Sequence, residues 1–428
     1  MNTRHHLFIG ILFAVCFLIP QTVLANAFFI QEMSGDGMAQ GSAVVAAGNK
    51  PSSMFQNAAN LSYLDGLWIE ATTTMYIPYG YFENVEGDKM YLGNTPIVTP
   101  HFFASYKIND WVAVGLGGFV DFGLAVEWPD DWEGKHIATK AGMQSFTINP
   151  NVSFGPFHGF SIALGFDAKW GSVEIKRAMT LGLAPLGEEN VDNTLHLAGS
   201  TWGFGANVGL MYQPADWVRI GFGYRSGIKM DLKDGDADFD VTSNFASRFP
   251  DQKFDATINL PHLISAGVRF WPIKELSVEL DFWWTMWSSY DTLSFTFDQG
   301  LEEGPNQRLY SMSETKDFRD FLQARIGMEW WFHKYFALRA GFMLDGGVVP
   351  DETLDPTLPD NHRLNSCIGI GMDWNGLFVD IAYMWVHMIP WDVREVENNP
   401  LPGKYVFDIH DLTFSIGYHY DFNLSKGS

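Results

Sequence analysis

Apolar and polar residues alternate along much of this chain. Over 276–287 one face holds Leu276, Val278, Leu280, Phe282, Trp284 and Met286, and the other begins Ser277, Glu279, Asp281. Over 321–332, Leu322, Ala324, Ile326, Met328, Trp330 and Phe332 alternate with Gln323, Arg325, Gly327 and Glu329. Over 202–212, Trp202, Phe204, Ala206, Val208, Leu210 and Tyr212 oppose Gly203, Gly205, Asn207 and Gly209. A period of two is a strand. Alternation kept up for about ten residues suits a strand that crosses a membrane, one face to lipid and one to a lumen, whereas soluble strands are typically about half that length. Further strands are expected at 67–78, 98–108, 111–124, 143–154, 160–175, 218–231, 256–270, 336–344, 362–374, 377–388 and 408–420, making fourteen. Six short turns alternate with long links at 176–201, 232–255, 288–320, 345–361 and 389–407. A sheet exposed to lipid must close on itself, because a free edge leaves backbone groups unpaired in hydrocarbon. The expected fold is therefore all-β: a 14-stranded antiparallel transmembrane β-barrel whose first and last strands both end on the short-turn side.

The segments before the barrel read differently. Arg4, His5 and His6 precede an apolar run from Leu7 to Ile19, followed by Val23, Leu24 and Ala25. That pattern is a secretory signal peptide over 1–25. Residues 26–66 show no period of two and are rich in Gly, Ala, Ser and Asn. A barrel of this width is too large for its own side chains to fill, so 26–66 is expected to fold inside the lumen as a hatch, with the barrel spanning 67–428.

Composition then narrows the function. Lys and Arg number 27 against 50 Asp and Glu, and loss of the leader, with one basic residue and no acid, takes the net charge from −23 to −24. A nucleic-acid partner is excluded, since phosphate binding needs a basic surface. Beyond the leader no run reaches the ~18 apolar residues of a spanning helix. Cys16 leaves with the signal and Cys367 stays alone, so no intrachain disulfide is expected. The 16 Trp, 15 Tyr and 35 Phe fit a lipid-facing wall with aromatic girdles, among them Trp111, Trp217, Trp271, Tyr335 and Trp374 beside the short turns. The address implied is the outer membrane of a Gram-negative bacterium.

Several segments carry a family resemblance. Phe28-Phe29-Ile30-Gln31-Glu32, Gly37, Ala39 and Gln56-Asn57-Ala58-Ala59-Asn60-Leu61 resemble the N-terminal hatch of FadL-type long-chain fatty acid transporters, a family that also contains aromatic-hydrocarbon transporters. Ala58 stands where the family usually has Pro. Asp121-Phe122-Gly123-Leu124-Ala125 is similar to the family's kinked third strand. Asn149-Pro150-Asn151, Trp202-Gly203-Phe204-Gly205, Tyr224-Arg225-Ser226, Leu260-Pro261, Phe318-Arg319-Asp320, Leu338-Arg339-Ala340-Gly341 and Leu358-Pro359-Asp360-Asn361 follow in the family's order. The resemblance implies passive uptake of hydrophobic molecules by a monomer, past the lipopolysaccharide layer. Ligand would be captured by outer loops, passed to a lumen site and released sideways at the third strand.

The residues for that work can be named. The resemblance places Phe28, Phe29 and Asn57 in the hatch, and Asp121 and Gly123 at the lateral opening. Arg177 and Arg319 match positions of cations that contact a substrate carboxylate, a group that is costly to bury unpaired. Met179, Leu181, Leu183, Phe239 and Phe245 are greasy for outer loops and would form a capture groove. No histidine spacing gives a metal site, no cofactor is implied, and Gly159-Phe160-Ser161 lacks the geometry of a hydrolase elbow. Two alternatives stand beside fatty acid uptake: an aromatic-hydrocarbon channel of the same family, and, from another class, a lipid-hydrolysing barrel.

Overall fold

A computed structural model of the chain describes residues 27–422 apart from 94, 180–192, 243–245 and 305–306, with backbone only at 303, 304 and 307. The signal segment 1–25 lies outside the described residues. Fourteen strands form the wall: β1 (Leu67–Glu83), β2 (Ile97–Asn109), β3 (Val112–Phe119, resuming at Gly123–Glu127), β4 (Lys140–Phe157), β5 (Phe160–Met179), β6 (Asn193–Ala215) and β7 (Val218–Arg225 and Ile228–Asp240) come first. Then follow β8 (Gln252–Leu260 and Leu263–Ile273), β9 (Leu276–Thr285 and Thr292–Gly304), β10 (Gln307–Thr315 and Phe321–His333), β11 (Phe336–Asp345), β12 (Arg363–Trp374), β13 (Leu377–Met388) and β14 (Lys404–Tyr420). Each is antiparallel to the next, and β14 returns to β1 from Leu67↔Tyr420 to Glu83↔Lys404, so the barrel is closed. No helix among the described residues is long and apolar enough to cross a membrane.

The alternation sets which face meets lipid. Leu322, Met328, Trp330, Phe282 and Trp284 are exposed outward, while Gln323, Arg325, Glu329, Glu279 and Asp281 are buried inward. The expected short turns shrink to two residues. Asn375 and Gly376 both take positive φ, 51° and 87°, which is the twist a tight hairpin requires. Trp111, Trp217 and Trp374 stand exposed at this end, and Trp111 stacks on Phe157 at 4.9 Å.

One expectation needs correcting. The links 176–201, 232–255 and 288–320 are not simply loops: much of each extends the neighbouring strands, and β6 reaches 23 residues. Its length is more than twice what a membrane crossing needs. In this extension the alternation inverts. Met230, Leu232, Ala237 and Phe239 are buried inward, and Lys229, Lys233, Asp236, Asp238 and Asp240 face out. Outside the bilayer the outer face meets water, so charge belongs there.

Residues 27–66 run inside the wall and are almost entirely buried. Only a short helix, α1 (Gly35–Ala39), and two 3-10 turns, Pro51–Met54 and Ala58–Tyr63, are regular. So little regular structure leaves many backbone groups in need of partners, and the wall supplies them. Glu279 accepts from Ala46 N at 2.5 Å, Asp281 from Val45 N at 3.1 Å, and Ser415 from Gly35 N at 2.8 Å. Arg219 donates to Ala47 O at 2.7 Å and Arg225 to Phe55 O at 3.1 Å. Asn57 donates to Val45 O and to Leu210 O, both at 3.0 Å, joining the segment to itself and to β6. Wall glycines make room: a Cβ on Gly341 would meet Gly41 N at 2.2 Å, and one on Gly221 would meet Val45 O at 2.5 Å. The glycine-rich lumen face read from the sequence is thus partly a seat for this segment.

Candidate functional site

The third strand is broken, and the break is built into its surroundings. β2 and β3 pair from Asn109↔Val112 up to Phe102↔Gly118, where the ladder ends. Beyond Gly123, β3 pairs only with β4 among the described residues. The freed groups at 120–122 are held by side chains instead. His101 Nδ1 accepts from Val120 N at 3.4 Å. Ser145 Oγ accepts from Phe122 N at 3.0 Å and donates to Phe122 O at 2.8 Å. The Asp121 carboxylate accepts from Thr147 Oγ1 at 3.0 Å and forms a buried ion pair with Lys169.

From inside, the N-terminal residues cover this break. Ile30 N donates to Asp121 O at 2.9 Å and Gly123 N to Phe28 O at 3.0 Å, so Phe29 faces Phe122 as one antiparallel pair. Their rings lie 5.1 Å apart. Phe28 packs edge-on against Trp287 at 4.8 Å. The sequence candidates Phe28, Phe29, Asp121 and Gly123 are thereby brought together at one place.

Two cavities meet there. The larger, about 490 Å³, is lined by Phe28, Phe29, Met343, Met384, Met388 and Phe407 in the lumen. That volume falls in the range of small-molecule sites. It also touches Ile97, Val98 and Pro100 on one side of the break, and Val120, Gly123 and Leu124 on the other. Gln144, Phe146 and Trp170 line it as well as Met143 and Ser145. Residues from both faces of β4 therefore line it, beside the break in the wall. The smaller cavity, about 70 Å³, shares Phe28, Leu124, Met143 and Leu358 with the larger and leads outward to Glu314, Lys316 and Asp355.

Lys316 is the cation of the smaller cavity, and sequence reading missed it. Its amine lies 3.0 Å from Asp355 and 3.3 Å from Glu314. Burial works to lower its pKa, but Asp355 and Glu314 together raise it above the usual lysine range, so it stays charged. Nearby, burial pushes the Tyr290 hydroxyl up to about 12. Arg177 stands behind Lys316: it donates to the other oxygen of Glu314 at 3.1 Å. Arg319 lies elsewhere. Its side chain is 67% exposed, and its nearest acid is Glu352 at 3.9 Å. Lys316 lay in a stretch read as a link, so nothing in the sequence showed that it turns inward.

The apolar outer groove is placed in part. Met179 is half-buried at the end of β5. Phe239 is buried against Phe249 and Phe297, at 6.0 and 6.5 Å, within a packed layer rather than an open groove. Leu181, Leu183 and Phe245 lie outside the described residues. No group of metal-ligating side chains occurs among the described residues.

Comparison with known proteins agrees with this architecture. The long-chain fatty acid transport protein of Escherichia coli O6:H1 is 27% identical over 317 residues, 67% of this chain and 68% of that protein. Outer membrane protein P1 of Haemophilus influenzae is 24% identical over 313 residues, covering 67% and 65%. Among solved structures, a Pseudomonas aeruginosa FadL homologue superposes with a TM-score of 0.81 at 18% identity, over 93% of this chain and all of that one. The Ralstonia pickettii toluene transporter TbuX gives 0.68 at 15% identity, over 91% and 99%. The family model described as outer membrane protein transport protein (OMPP1/FadL/TodX) matches residues 16–422. This chain belongs to that family, whose members are outer-membrane transporters and channels for hydrophobic compounds rather than enzymes.

Proposed function

We propose that this protein takes up long-chain fatty acids passively and releases them sideways into the outer membrane. The observation that supports the reading is a pair of adjoining cavities with shared lining, which together reach from Lys316 near the outer rim, past Phe28, to the break between β2 and β3. The ligand is caught at the outer extension, by Met179, Leu181 and Leu183 at the end of β5 and beyond it, and by Phe239 and Phe245 at the end of β7 and beyond it. Its carboxylate meets Lys316, with Arg177 tuning the shared Glu314, so the cationic role passes from Arg319 to Lys316. The hatch, 26–66, bars a straight aqueous path down the lumen. Asp121 and Gly123 hold the exit, and displacement of Phe28–Ile30 opens it. The protein acts as a monomer among lipopolysaccharide and lipid, with no cofactor.

A second reading has an observation in its favour. Lys316 already faces two carboxylates, which suits a neutral hydrocarbon better than an anion. Uptake of labelled oleate and labelled toluene, by cells lacking their own transporters, separates the two. For the fatty acid reading, Lys316→Ala lowers oleate uptake about tenfold, the scale of one charge-assisted hydrogen bond. Arg319→Ala leaves it within about twofold. Toluene uptake without oleate uptake would establish the hydrocarbon reading instead.

A further inference from the structure

The outer face of the wall carries a hollow of its own beside the break. It measures about 720 Å³ and is lined by six neighbouring strands, from Leu377 on β13 to Phe146 and Ile148 on β4. Two rows of paired residues cross it: Ile416↔Ala71↔Phe102↔Gly118↔Ile148 and, one level nearer the short turns, Leu377↔Tyr418↔Ile69↔Ala104↔Leu116. Ala71 and Gly118 leave gaps on either side of Phe102, and Ala104 leaves one below it. Glu70, the one charged residue in the lining, turns inward and accepts from Ser52 N at 3.2 Å. Phe102, Leu116 and Ile148 are 53%, 52% and 42% exposed, so a ligand can reach them.

Phe146 joins this hollow to the break. It lines both the hollow and the larger cavity. Its ring leans over Gly118, where a Cβ would come within 3.2 Å of Phe146 Cζ. On β2 the outward residues Val98 and Pro100 line the larger cavity, and Phe102 beside them lines the hollow. Both rows lie on the short-turn side of the break, since β2 and β3 are still paired at Phe102↔Gly118 and part beyond it. Neighbouring strands stand about 4.8 Å apart, so the five steps from β13 to β4 measure about 24 Å round the wall. A bilayer's hydrocarbon core, two acyl chains deep, is about 30 Å. The hollow therefore has room for a whole acyl chain laid on the wall, and is far longer than a single aromatic ring.

We infer that this hollow is a second binding site, filled by the hydrocarbon tail of a long-chain cargo once it has passed the break. The tail slides past Phe146 onto the outer face and lies across Gly118, Ala71 and Ala104. It thus enters the membrane in the leaflet nearer the short turns. The shared lining favours cargo over membrane lipid, because a chain arriving through the break meets the hollow first. This rests on the proposed uptake and sideways release, and adds where the released chain goes.

Stearate and phosphatidylethanolamine, each with a diazirine on the acyl chain, test it on the whole protein in lipid nanodiscs. After irradiation, mass spectrometry compares adducts on Phe102, Leu116 and Ile148 with those on Phe282 and Leu322, which are exposed on β9 and β10. The ratio for stearate is expected to exceed that for the phospholipid at least about fivefold, the effect of one or two methylenes buried on the wall. The double variant Ala104→Leu, Gly118→Leu fills the hollow from outside and should remove the excess, with stearate adducts on Ile30 in the lumen unchanged. Heat-modifiable gel mobility shows that the variant is folded. Equal ratios for the two probes on the unaltered protein overturn the inference, while adducts on Ile30 leave the uptake reading intact. A folded double variant that keeps the excess overturns it too. Absence of stearate adducts from both Ile30 and the hollow removes the uptake reading and this inference with it.

Discussion

Joining residues 29 and 122 by a disulfide, in the double variant Phe29→Cys, Phe122→Cys, is expected to cut oleate uptake at least about tenfold, and a reductant is expected to restore it. The hydrogen bonds from Ile30 N to Asp121 O and from Gly123 N to Phe28 O bracket this pair. It is therefore a non-hydrogen-bonded antiparallel pair, with Cα atoms about 4.5 Å apart. That separation lies within the span a disulfide bridges. Cys367, the free cysteine among the described residues, is buried at 6% exposure and will not compete. The bond fixes the N-terminal residues over the break without touching Lys316. Each single cysteine variant controls for the lost ring. Equal uptake by oxidised and reduced protein would show that cargo leaves without moving residues 28–30.

Arg339→Met is expected to destabilise the barrel by about 3 kcal/mol, because it strands two buried carboxylates. Arg339 is 2% exposed and donates to Glu329 at 2.7 Å and to Asp380 at 2.6 Å. The chain of charges continues to Lys50 of the inner segment, 3.4 Å from Asp380, and through Arg269, 3.4 Å from Glu329 and 2.8 Å from Glu279. Three cations and three acids alternate across the lumen, and removal of Arg339 leaves Asp380 and Glu329 one longer contact each. Arg394, on the rim with Asp392 and Glu83, is the comparison: an exposed pair contributes little. Urea unfolding in lipid vesicles, followed by tryptophan fluorescence, measures both. An Arg339→Met protein as stable as the Arg394→Met protein would mean that the charge belt does not hold the fold.

The membrane-crossing strands were legible because lipid allows only one polarity on the outer face, and Leu276–Thr285 or Phe321–His333 record it residue by residue. The outer halves of β7 to β10 were not legible. There Lys233, Asp236 and Asp238 lie on the outside of a sheet that still alternates, and their charge read as loop. The same inversion hid Lys316, which follows directly on the outer half of β10. Phe28, Phe29, Asp121 and Gly123 were found through family likeness, but their mutual contact depends on pairing across some ninety residues that no local pattern encodes.

Ser415 bears on the order in which this molecule is made. Its hydroxyl lies 2.6 Å from Thr72 on β1, 343 residues earlier, and it accepts from Gly35 N of the inner segment. One side chain on the final strand therefore touches both the first strand and the segment the wall encloses. Contacts so distant in sequence form late and slowly, and until they form β1 presents an edge that hydrocarbon cannot satisfy. The N-terminal segment has to be in place before the last strand arrives, since a sealed wall would shut it out. Loading the interior and sealing the seam are then a single step of assembly, completed only when the C-terminal strand reaches β1.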